Sequence, residues 1–154
     1  MEITQLNPRP EIEQNKRLSK NFTQFERLLN VLETRELPDA VTVYINNEIN
    51  LINSTTGSEK ALAKQVSTSQ SGILKQLEKE LKLVTKNHYR NLWLPLGMST
   101  FGLPLGVMFG LFLGNMAFLG ICLPIGMAIG AAVGTSLDKK AVKNGTQLDM
   151  EITH

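Results

Sequence analysis

Apolar positions along this chain follow one period in its first half and lose all period in its second. Leu18, Phe22, Phe25, Leu29 and Leu32 recur at three- and four-residue steps, the spacing of a single stripe on an α-helix. This predicts a first helix from about Pro10 to Glu36, after a loose tail that ends at Pro8. Leu37-Pro38-Asp39 interrupts it, because Pro38 disfavours helical backbone at Leu37 and Asp39 can cap a following helix. Val41, Tyr44, Ile45, Ile49 and Ile52 share a face and predict a second helix over about Asp39 to Ile52. The polar run 53–58 reads as a loop, with Ser58 as N-cap of a third helix. That helix is expected from Glu59 toward Asn91, with Leu74, Leu77, Leu81, Val84 and His88 in register. Its weakest part is Ser67 to Gly72, whose Ser, Thr and Gly residues favour helix less.

The periodicity then gives way to continuous apolarity. Residues 91–137 form a run of 47 without a charged side chain. A helix rises ~1.5 Å per residue and a bilayer core is ~30 Å thick, so one crossing takes about 20 residues. The run is too long for one crossing and right for two joined by a tight turn. The expected spans are 93–113 and 117–137, with the turn at 114–116. The predicted architecture is therefore all-α: a small helical bundle over 1–90, a transmembrane helical hairpin over 91–137 and a polar tail over 138–154.

Charge gives the orientation. Lys82, Lys86 and Arg90 precede the first span, Lys139, Lys140 and Lys143 follow the second, and the connecting turn has no charge. The positive-inside rule then places both termini in the cytoplasm. Tyr89, Arg90, Trp93, Lys139 and Lys140 are the expected membrane-interface residues. No basic n-region precedes an apolar segment at the N-terminus, so no cleavable signal peptide is expected.

The apolar run carries a direct repeat. Leu103-Pro104-Leu105-Gly106 is followed by Gly110 and Gly114, and Leu123-Pro124-Ile125-Gly126 by Gly130 and Gly134. Gly102 extends the first series, and Gly97 closes a third LPLG. Four-residue spacing puts glycines on one face, where two backbones can approach closely in lipid. The predicted helix-packing residues are Gly97, Gly102, Gly106, Gly110, Gly114, Gly126, Gly130 and Gly134. With the turn centred on Met116, Gly106 should face Gly126, Gly102 should face Gly130, and Gly97 should fall near Gly134. Pro104, mid-span, should kink its helix, with Ser99 and Thr100 able to re-satisfy freed backbone groups. The series resembles that of the glycine-zipper class of small bacterial membrane proteins. The resemblance covers about a third of the chain and implies tight helix association, often oligomers, and a bacterial inner membrane. It implies no single activity.

Composition narrows the function classes. Residues 1–90 hold 24 of the 30 Lys, Arg, Asp and Glu residues, signs interspersed, and net charge is +2. No basic stripe for nucleic acid results. The single cysteine, Cys122, excludes an intrachain disulfide. His88 reads as an interfacial side chain, and His154 lies far from it in sequence. Glu78 and Glu80 point to different helix faces. No metal-ligand spacing, nucleophile motif or phosphate loop occurs, so no cofactor, small-molecule substrate or enzymatic activity is expected. Two readings follow. The leading one is a non-enzymatic, membrane-anchored interaction or scaffold protein that self-associates or binds a cytosolic protein. The alternative is a pore-forming or membrane-perturbing effector that assembles through its glycine faces.

Overall fold

The computed structural model describes residues 2–9, 12, 15–56 and 58–152. The molecule is all-helical, with no β-strand among the described residues. Its helices are α1 (Lys16–Glu33), α2 (Asp39–Ser54), α3 (Glu59–Leu81), α4 (His88–Gly97), α5 (Leu103–Phe112) and α6 (Phe118–Lys143), with a π-helical segment, Met98–Gly102, joining α4 to α5. The chain divides into two compact units. One holds the described residues up to Val84 together with those from Leu148 onward; the other is Thr85–Gln147.

The first unit is built on the predicted stripes. Leu18, Phe22, Phe25, Leu29 and Leu32 of α1 are all buried, as are Val41, Ile45, Ile49 and Ile52 of α2. Leu62, Val66, Ile73 and Leu77 of α3 complete the core. Each such side chain contributes about 1.5–3 kcal/mol of burial. Asn15 caps α1, its Oδ1 accepting from Leu18 N at 3.3 Å. Ser58 caps α3 as expected, accepting from Ala61 N. Asp39 does not cap α2: it is the first helical residue, and Pro38 holds the cap position without a side-chain bond. The expected start of α1 near Pro10 falls on residues outside the described set.

Ser67–Gly72 is helical because its small residues are useful there. Ser69 is fully buried, and a Cβ on Gly72 would lie 2.8 Å from the Tyr44 hydroxyl, so glycine makes room for the Tyr44 ring. Burial, and then the Glu48 carboxylate, hold the Tyr44 phenol above its usual range.

The third helix is ten residues shorter than its apolar register suggested. It ends at Leu81, where Lys82 takes a left-handed conformation with φ 56°. Lys82 N donates to Glu78 O, the 5→1 bond of a left-handed helix stop, and Leu83 N donates to Leu77 O. Val84 is buried from an extended segment and not from a helix face, and Leu81 is only partly buried.

The N-terminal residues are not loose. Asn46 Oδ1 accepts from Thr4 N at 2.8 Å, and Asn46 Nδ2 donates to Glu2 O at 3.0 Å. Asn53 repeats the pattern with Asn7 N at 3.0 Å and Gln5 O at 3.2 Å. The two asparagines are seven residues apart on α2, about 10 Å of helix, and the paired backbone sites are three residues apart, about 10 Å of extended chain. Each amide thus reads the strap as a neighbouring β-strand would. Arg9 ends the strap, its guanidinium donating to the carbonyls of Ile52, Asn53 and Thr55 at the C-terminus of α2. The expected polar tail is also partly internal: Leu148 and Met150 are 0% and 1% exposed in this core.

The strap predicts a local, separable stability. Asn53→Ala should cost about 1 kcal/mol and raise amide exchange at Asn7, leaving α1–α3 protected. Phe25→Ala should cost ~3–5 kcal/mol and unfold the unit globally. Hydrogen exchange with denaturant titration checks both; equal protection of Asn7 in the two chains would remove the strap from the account.

Candidate functional site

The second unit places most of the predicted glycines in one narrow contact. α4, the π segment and α5 all pack against α6, and Gly97, Gly102, Gly106, Gly110, Gly126, Gly130 and Gly134 are buried there. A Cβ on Gly126 would collide with Gly102 N and lie 2.6 Å from its Cα and 2.7 Å from Gly97 O. One on Gly97 would collide with Gly126 O and lie 2.6 Å from Gly130 Cα. One on Gly130 would run into Trp93 O, and one on Gly134 would sit 2.6 Å from Tyr89 O. These obstacles are backbone atoms, so no rotamer change relieves them.

The register differs by one helical turn from the sequence expectation. Gly102 meets Gly126, Gly97 meets Gly126 and Gly130, and Gly106 meets Leu119 and Cys122. Gly134 meets Arg90 and Tyr89, not Gly97. The cause is the connection. The turn spans 113–117 between the end of α5 at Phe112 and the start of α6 at Phe118, and the facing pairs centre on Gly114 and not on Met116. Gly114 has φ +66° and no neighbour within reach of a Cβ. It is therefore a turn residue and not a packing residue. Asn115 N donates to Gly110 O at 3.0 Å, closing a Schellman stop around Gly114, and Asn115 Oδ1 accepts from Ala117 N at 2.9 Å before α6.

The π segment explains the one irregular step in the glycine series. The other seam intervals within each helix are four residues; Gly97 to Gly102 is five. In the π turn Leu103 N donates to Met98 O, five residues back. One extra residue in the turn brings Gly102 round to the face of Gly97. Pro104, which cannot donate to Thr100 O, follows directly. Ser99 Oγ donates to Pro95 O at 2.7 Å, the carbonyl one turn back, and not to the Thr100 carbonyl that Pro104 leaves without its N–H partner. α6 runs unbroken through Pro124.

Asp138 locks the end of the seam remote from the turn. It is 7% exposed, and its Oδ1 and Oδ2 accept from Tyr89 N and Arg90 N, each at 3.0 Å. Asn87, the residue before α4, is left-handed and gives no side-chain cap. A carboxylate carried by α6 therefore satisfies the first-turn N–H groups of α4 and complements its dipole. Sequence reading took Asp138 only as the boundary of the apolar run. The signal available was a single acid amid three lysines, which does not specify a partner 48 residues away.

Of the interface residues, Tyr89 and Trp93 are half-buried, with Tyr89 edge-on to His88 at 5.1 Å between centroids. Arg90, Lys139 and Lys140 are exposed. His154 lies outside the described residues. Among the described residues no group of His, Cys, Asp and Glu is placed to hold a metal ion. Comparison with protein-family models, curated proteins and solved structures found no match to this chain.

The geometry ranks substitutions. Gly130→Ala and Gly126→Ala should force the helices apart and destabilise the unit by about 2 kcal/mol or more. Gly120 has open space around it, so Gly120→Ala should be neutral or stabilising by up to ~1 kcal/mol. Asp138→Ala strands two N–H groups and should cost ~2–4 kcal/mol. Thermal unfolding in detergent checks the order; equal effects at Gly120 and Gly130 would contradict the close contact.

Proposed function

We propose that this protein is a non-enzymatic helical module anchored by a transmembrane hairpin, with the glycine faces as its internal packing surface. The supporting observation is uncovered apolar surface. His88–Phe112 and Phe118–Lys143 are long and apolar enough to cross a membrane, and only 22% of the most apolar stretch of each is buried. Phe112, Leu111, Ile121, Met108 and Met116 are among the side chains left exposed. A core helix of a soluble protein buries such residues; lipid covers them at no cost.

Topology supports the same reading. Residues before Val84 and after Leu148 belong to one compact unit, tied by Leu148 N donating to Val84 O at 2.8 Å. A chain that leaves and re-enters the same unit crosses a bilayer, if at all, an even number of times, which the two apolar helices would supply. The positive flanks put that unit in the cytoplasm, on the inner membrane if the chain is bacterial. The anchored unit is the part offered to a cytosolic partner or a second copy. Its apolar stripes line its own core, leaving Val43 and Leu51 of α2 as its exposed large apolar side chains among the described residues. Recognition would therefore rest mainly on polar surface.

Assembly into a pore has less support. Seven of the eight predicted packing glycines lie against the chain's own backbone or side chains, so the contact that motivated an oligomer is already occupied.

Reporters fused at the N-terminus and at His154 should both read cytoplasmic, and one inserted at Asn115 should read external. Termini on opposite sides, or protein released from membranes by alkaline carbonate, would end the hairpin reading.

A further inference from the structure

Lys86 precedes α4, Arg90 lies in its first turn, and Lys139 follows the uncharged run of α6. The fold gathers these three around one depression of about 280 Å³, together with Thr135, Asp138 and Gln147. Lys86 has a partner of its own, so Arg90 and Lys139 are the cations the depression offers, beside the carboxylate of Asp138. The Asp138 oxygens already accept from Tyr89 N and Arg90 N, so the acid is engaged by the α4 terminus. Arg90 and Lys139 are exposed, and among the described residues the Arg90 guanidinium and the Lys139 ammonium have no hydrogen bond or ion pair. Arg90 carries a planar fork suited to two oxygens of one phosphate, Lys139 a point charge, and Thr135 a hydroxyl donor.

The depth of the depression selects the ligand. Tyr89 and Trp93 flank Arg90, and Lys139 lies just past the last uncharged residues of α6. On the hairpin reading this is the polar edge of both spans, where lipid phosphates lie. We infer that the depression is a binding site for the phosphate of an anionic phospholipid in the cytoplasmic leaflet. The inference rests on the membrane-anchor reading. Lys140 and Lys143 do not line the depression, so they separate a built site from diffuse attraction.

The test uses the full chain in an uncharged detergent, with thermal unfolding read in micelles doped with phosphatidylglycerol, with phosphatidylcholine, or with inorganic phosphate in solution. Phosphatidylglycerol should raise the midpoint and phosphatidylcholine should not. The double variant Arg90→Gln/Lys139→Gln should weaken the apparent affinity for phosphatidylglycerol by roughly tenfold or more. Lys140→Gln/Lys143→Gln should weaken it by about twofold at most. Circular dichroism before heating establishes that each variant is folded. Equal loss in the two doubles would overturn the site in favour of non-specific charge. A full shift with inorganic phosphate alone would overturn the lipid as its source. Carbonate washing of the source membranes keeps the two readings apart: retained protein without lipid selectivity sinks this site alone, and released protein sinks both.

Discussion

Two helix backbones approach within the reach of a methyl group along α4, the π segment, α5 and α6, and the rest of this unit is arranged around that approach. Close van der Waals contact over glycine backbone is what this approach provides. Such a contact tolerates no phase error. A run of α-helix with a five-residue interval would carry Gly97 off the face of Gly102. The π turn at Met98–Gly102 restores the phase and at the same position accommodates Pro104. The proline, the irregular interval and the wide turn are one solution to one geometric requirement. Gly114 with Asn115 at one end and Asp138 at the other then hold the register that the glycines permit.

The first unit is stabilised differently. Its three helices bury ordinary apolar stripes, and two asparagines and an arginine bind the N-terminal strap through main-chain groups. Because that recognition is to backbone, it sets conformation and not sequence. The C-terminal residues return to the same core through Leu148 and Met150. The described residues up to Val84 and those from Leu148 onward thus belong to one unit.

What was legible in the sequence was whatever depends on period and composition. The stripes of α1 and α2, the Ser58 cap and the two long apolar helices follow from side-chain type at fixed spacing. The glycine face was legible as a face, but its register was not. Register depends on where the turn closes, at Gly114 and not Met116, and on one inserted residue in the π segment, and neither changes the apolar pattern. The end of α3 was hidden for the same reason: Val84 keeps the apolar register although Lys82 has already left the helix. The strap and the Asp138 lock were missed because they join side chains to backbone groups more than forty residues away, and backbone carries no sequence signal.

The register of the glycine contact is the central claim, and the native thiol reports on it directly. A Cβ on Gly106 would lie 3.4 Å from Cys122 Cβ, close to the separation that a disulfide spans, and 2.9 Å from Leu119 Cα, so the helices must give by a few tenths of an ångström to admit it while keeping the register. In the register one turn away, Gly110 would take that place. Oxidation of Gly106→Cys and Gly110→Cys chains in membranes, followed by alkylation of remaining thiols, distinguishes the two. The account predicts intrachain closure and thiol protection for Gly106→Cys, with both thiols of Gly110→Cys remaining reactive. Closure at Gly110 and not at Gly106 would contradict it.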